Sequence, residues 1–299
     1  MSLSKTIQRR SHYHDLKEKW IDRHKKLSET LWQKHGHVLR NISDKTKTLG
    51  IAGSLAGMTL LSSPSASLSI PTIPTIFPTA TQGTTIDKSA FLIYDLSHEL
   101  PDKVVPLTPV QEDVVSATLS RHFGMPIKAE LGSIRLNRTY GYIGQEQHLA
   151  RYPGETMDSH FSSSQEANQF ASYGMAPGLG GFGYFAGKDG LTKEAIEREK
   201  YYIAVQTFLA PGWRDNVKEY VDFFAFRKML VVNPQNGKAV VADIGDAGPA
   251  DWTGKSLGGS PEVMQYLERV DGAGKGPVLY FFIDDPGDQV PLGPISVVQ

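Results

Sequence analysis

Residues 233–267, NPQNGKAVVADIGDAGPADWTGKSLGGSPEVMQYL, constrain the fold more than any other stretch of this chain. Asn236-Gly237 is a hairpin signal, because both residue types accept the positive φ that a tight turn demands. Lys228–Val232 before it reads as a strand, and Lys238–Ile244 after it as the returning strand. Gly245, Gly248 and Gly254 then permit a tight loop. Ser260-Pro261-Glu262 opens a helix, with an N-cap hydroxyl, a proline in the first turn and an acid at the positive end of the helix dipole. Two aspartates, Asp243 and Asp246, fall where strand gives way to loop, a placement that suits acid/base chemistry on sugars.

The flanks extend this pattern. Thr108-Pro109-Val110-Gln111 predicts a helix start with a capping box, running to His122 and stopping at Gly124. Lys128–Ile143 alternates as strands do, and the tract from Gln145 to Gly190 is polar, glycine-rich and loop-like. Thr192 opens a second helix that runs into the strand-like YYIAVQTFL. A third helix is expected over Arg214–Phe223, and Val278–Ile283 reads as a closing strand. Many strands with few short helices predict a mainly β (α+β) domain over residues 91–299, built on a small barrel with its core near 197–285.

The N-terminal part has a different character. Residues 1–48 are rich in Lys and Arg, with Leu16, Trp20, His24, Leu27, Leu31 and Val38 at near-helical spacing. Leu49–Leu61 is uncharged and apolar, and small residues with Pro64 follow it to residue 66. A basic region, a short apolar core and a small-residue stop form a signal or anchor arrangement, so export is expected. The apolar run is shorter than the roughly 20 residues of a bilayer span, so membrane attachment requires residues 49–70 uncleaved. A buried core helix is the alternative reading of the same run. Residues 67–90, SLSIPTIPTIFPTATQGTTIDKSA, are a Ser/Thr/Pro-rich linker, because repeated proline keeps a chain extended and unpacked.

The order hairpin Asn-Gly-Lys, Val-Val, Asp-x-Gly-Pro, Gly-Lys and a Ser-started helix resembles the core of double-psi β-barrels of the rare lipoprotein A type. It is similar also to the three-aspartate domain of membrane-bound lytic transglycosylase A and to the expansin barrel. The resemblance implies a six-stranded double-psi barrel that binds or cleaves cell-wall glycan, with an aspartate of the matched loop as acid/base. Asp-x-Gly-Pro places that role on Asp246, whereas reading VADIG against an Asp-Thr-Gly pattern places it on Asp243. Two departures stand out: Gly258 lies where the family has an aspartate before the helix, and Gln206 where it has a histidine. Glutamine cannot transfer protons at neutral pH.

Around these aspartates, Trp252, Tyr184, Phe182 and Trp213 are candidates for stacking on sugar faces, or else core anchors. Lys255, Gln206, Glu146 and His148 complete the expected substrate-binding set, and Glu155 and His160 belong to the same polar tract as Glu146 and His148. His148 and His160 match no zinc spacing, so no metal is expected, and Asp284, Asp285 and Asp288 read as a solvated turn rather than a calcium loop. With no cysteine, disulfides and thiolate chemistry are excluded. A net charge of -1 gives no argument for nucleic acid, and no phosphate loop or dinucleotide fingerprint calls for a cofactor. The chain is therefore expected to be an exported envelope protein that binds peptidoglycan-type glycan. The alternative is a lytic transglycosylase using Asp246 or Asp243.

Overall fold

The computed structural model describes residues 88–269 and 274–298. The basic region, the apolar run and the linker up to residue 87 lie outside the described residues. Helix α1 (Ser89–Glu99) begins inside the last residues of the expected linker and buries Leu92 and Leu96. Helix α2 (Pro109–Phe123) starts on the capping box that its sequence predicts. Thr108 accepts from the N–H of Gln111, the Gln111 side chain answers to the Thr108 backbone, and Gly124 ends the helix at φ 66.

Short strands follow: β1 (Ile127–Lys128), β2 (Glu130–Leu131), β3 (Ile134–Arg135) and β4 (Tyr140–Gln145). A long irregular region carries α3 (Met157–His160) and α4 (Ser164–Phe170), and leads to α5 (Lys193–Lys200). Then come β5 (Tyr202–Val205), α6 (Val217–Phe224), β6 (Lys228–Val232), β7 (Ala239–Ala247), β8 (Leu257–Gly259), α7 (Pro261–Tyr266), β9 (Lys275–Ile283) and β10 (Gly293–Ile295). Among the described residues no helix is long and apolar enough to cross a membrane.

Six strands close on themselves. Strand β4 pairs antiparallel with β9, β9 with β6, and β6 with β7. Strand β7 pairs parallel with β5, β5 antiparallel with β8, and β8 parallel with β4, which shuts the ring. This is a closed six-stranded mixed barrel, compatible with the double-psi type. Strands β1 and β10 add to its margins through β9 and β7, while β2 and β3 form a separate hairpin.

The barrel strands are apolar on both faces because both are covered. Met229 and Val231 of β6, Val240, Ala242 and Ile244 of β7, and Val278, Tyr280 and Phe282 of β9 share the core with Phe224 of α6. Their neighbours Leu230, Val232, Ala239, Val241, Leu279 and Phe281 instead pack with Leu92, Leu96, Val115 and Leu119 of α1 and α2. The β6–β7 turn is held by Asn233, whose Nδ2 donates to the Leu267 carbonyl at 2.8 Å and whose Oδ1 accepts from Gln235 N–H at 2.9 Å.

Strand β7 runs past the expected end at Ile244 to Ala247, so both aspartates sit within the strand. The register explains the extension. Ile203 faces Ile244 while Ala204 faces Asp246, so Gly245 is the extra residue of a bulge against β5. A Cβ on Gly245 would come within 2.8 Å of Tyr202 Cβ and 3.0 Å of the Phe185 ring, so only glycine fits.

Phe282 is 1% exposed and touches the rings of both Phe223 and Phe224 in the barrel core. Phe282→Ala is expected to destabilise the domain by about 3–5 kcal/mol, read as a lowered urea midpoint.

Candidate functional site

The parallel pairing of β4 with β8 sets two glycines opposite each other, Gly144 and Gly258. Their lack of side chains makes a trough. A Cβ on Gly144 would fall 2.1 Å from Lys255 Cδ, and one on Gly258 would fall 2.2 Å from Glu146 Cγ. Lys255 and Glu146 therefore lie across the sheet in this trough and form an ion pair, with Lys255 also donating to the Gln145 carbonyl at 3.1 Å. The side chain of Glu146, the residue after β4, thus occupies the space over Gly258. Its acid is 27% exposed and its lysine partner 15%.

Gln206 follows β5 and is buried. Its Nε2 donates to the Pro249 carbonyl and to Asp251 Oδ1, both at 3.0 Å, which ties β5 to the loop after β7. On the short 3-10 turn Asp251–Thr253 stands Trp252, 81% exposed. Gln206, Trp252 and Lys255 thereby share the rim at which β8 begins, and the Lys255 side chain runs from there along the β4–β8 seam to Glu146, which follows the far end of β4.

The other expected residues are placed differently. Asp246 accepts from the N–H groups of Ala247 (2.7 Å) and Gly181, so its carboxylate straps the glycine-rich loop over β7. A Cβ on Gly181 would meet Ala247 at 2.8 Å, which explains the glycine there. Phe182 packs on the barrel core, and Trp213 packs against Tyr220 and Phe224, so both are anchors. Tyr184 is half-buried. Asp285 accepts from Gln289 N–H and Val290 N–H and pairs with Lys228, which closes the turn at the chain's end.

Asp243 is 1% exposed and neither of its carboxylate oxygens has a hydrogen-bond partner. The nearest cationic nitrogen, Arg198 Nε, is 3.8 Å away. Burial pushes its pKa well above the ordinary carboxylate value, and the charges of Arg198 and Lys228 offset only part of that cost. It borders a cavity of about 700 Å³ lined also by Arg198, Phe226, Lys228 and Asp288.

A second polar centre lies under α5. His148, His160 and Glu199 are all buried. Glu199 Oε1 meets His148 Nδ1 at 3.3 Å and accepts from Leu149 N–H at 3.0 Å, while its Oε2 meets His160 Nε2 at 3.1 Å. Burial disfavours the charged form of Glu199, but the two histidines outweigh it and hold the carboxyl down at about 2. Burial likewise opposes the His160 imidazolium, and Glu155 and Glu199 hold it up at about 9. Glu262 on α7 is pushed up to about 7 by burial, against the pull of His148. The polar tract around His148 and His160 is visible in the sequence. Glu199 is not, because it stands among the charges of an ordinary helical face, KEAIEREK, 51 residues from His148.

Comparison with family models, curated proteins and solved structures finds no match to this chain.

Asp243 binds its proton more tightly folded than unfolded. Its contribution to stability is therefore complete below the ordinary value of 3.8 and is lost as pH rises through the folded value. Asp243→Asn should flatten this decline, by up to one proton or ~1.4 kcal/mol per pH unit. Urea unfolding of both proteins from about pH 4 to about pH 7 checks it; parallel curves would refute the buried neutral carboxyl.

Proposed function

We propose that the barrel binds peptidoglycan-type glycan strands along the rim of Trp252, Gln206 and Lys255 and the seam from Lys255 to Glu146, without cleaving them. Trp252 carries this reading. An indole that is 81% exposed on a loop fixed by the Gln206–Asp251 bond is a ready surface for a sugar face. The Lys255–Glu146 pair offers fixed polar groups for hydroxyl and amide recognition, and the buried Gln206 amide holds the loop that carries Trp252. Asp246 is occupied with two backbone N–H groups and serves to fasten the glycine-rich loop. In this reading the barrel is of the rare lipoprotein A-like double-psi type. The chain is exported, with residues 49–66 as signal or anchor and the membrane reached through residues 49–70 where they are retained.

The alternative, a lytic transglycosylase, draws on one observation. Burial raises the proton affinity of Asp243 beside a cavity, the direction a general acid requires. Against it stands the burial of that carboxyl beneath Arg198.

One experiment separates the two. The full chain is incubated with purified peptidoglycan, with Trp252→Ala, Asp243→Asn and Asp246→Asn alongside. Expected is co-sedimentation without anhydro-sugar products, and affinity about tenfold lower for Trp252→Ala, equivalent to ~1.4 kcal/mol. Anhydro products abolished by Asp243→Asn would replace binding with catalysis. Absence of co-sedimentation would remove the glycan reading.

A further inference from the structure

The buried cluster under α5 plays no part in the rim. His148 follows β4 on a backbone pinned at both sides, its N–H to the Gly174 carbonyl at 3.0 Å and its carbonyl to Ala176 N–H at 2.8 Å. His160 ends α3, and Glu199 comes from α5. Three separate segments thus bring two imidazoles and a carboxylate together. One donor atom of each lies within 4.8 Å of the others, and the ring centroids are 4.6 Å apart.

We propose that His148, His160 and Glu199 form a zinc site. The spacing is that of neighbouring metal ligands. Glu199 oxygens lie 3.1 and 3.3 Å from the two ring nitrogens, and bonds of about 2.0–2.1 Å around a tetrahedral ion put adjacent donors roughly 3.3 Å apart. The outer shell is also built. His160 Nδ1 meets Glu155 Oε1 at 3.2 Å, and Glu155 is held in turn by Arg151 Nε at 2.7 Å, the carboxylate–histidine arrangement that orients a ligating imidazole. Arg151 also donates to the His160 carbonyl, so ring and backbone are fixed together.

One observation goes beyond what charge pairing explains: a cavity of about 220 Å³ opens onto His160 and Glu199, lined by Phe161, Lys200 and Glu262. It supplies an entry path and room for a water as the fourth ligand, the arrangement of sites with three protein ligands. Two imidazoles and one carboxylate suit zinc in preference to calcium or magnesium, which favour all-oxygen shells. The inference does not depend on glycan binding at the rim.

The test uses the full chain, stripped with chelator, reloaded with zinc and freed of excess metal by gel filtration. Zinc per chain is then measured by mass spectrometry. Five of the nine histidines lie before residue 88, so the reading is the difference between the wild type and His148→Gln/His160→Gln. Expected is one equivalent fewer in the variant, and a smaller loss of retention in Glu199→Gln. Equal zinc content in wild type and a folded double variant overturns the site. Should the variant misfold, cobalt(II) spectra of the wild type and of Glu199→Gln are compared instead. Intense visible bands of a four-coordinate ion that weaken in Glu199→Gln support the proposal, and identical spectra refute it.

Discussion

Closure of the barrel rests on the parallel pairing of β4 with β8, in which Ile143, Gly144 and Gln145 face Leu257, Gly258 and Gly259. Without it both strands would present an open edge, and the core residues Ile143 and Leu257 would lose their cover. The same pairing fixes what lies on the surface. Opposed glycines clear the trough for Lys255 and Glu146, and the end of β4 launches the chain toward His148. Rim and buried cluster both depend on this one junction.

The buried polar groups of this domain differ in the partners that the rest of the chain gives them. The two aspartates of β7 illustrate the range. Asp246 finds two backbone N–H donors and fastens a loop. Asp243, three residues earlier and behind a bulge, finds none, and burial raises its affinity for a proton. Residue type is the same in both; the donors within reach differ. The histidine cluster repeats the point with opposite sign, because Glu199 remains charged in a buried place where two imidazoles compensate its lost hydration.

Local signals in the chain were legible where the chemistry is local. The Thr108–Gln111 capping box and the Ser260-Pro261 helix start form as their sequences predict, and the hairpin turns at Asn236-Gly237 with only Gly237 at positive φ. The barrel class was legible too, from an apolar strand order with few helices. The end of β7 was not, since its last residues look like a loop and become strand only because β5 pairs beside them. Trp252, Gln206, Glu146 and Lys255 were legible as individuals, whereas the seam that brings Lys255 to Glu146 was not.

The sequence by itself determined the turns, the caps, the mainly β class and a list of polar residues able to do chemistry. Tertiary structure decided which of those residues meet. It put Glu146 in the space over Gly258, set Trp252 outward, and carried Glu199 across 51 residues to two histidines. The reason is physical: capping and turn preferences are settled by neighbours in the chain. Ion pairs and ligand sets are settled by strand register and barrel closure, which no short window of residues contains.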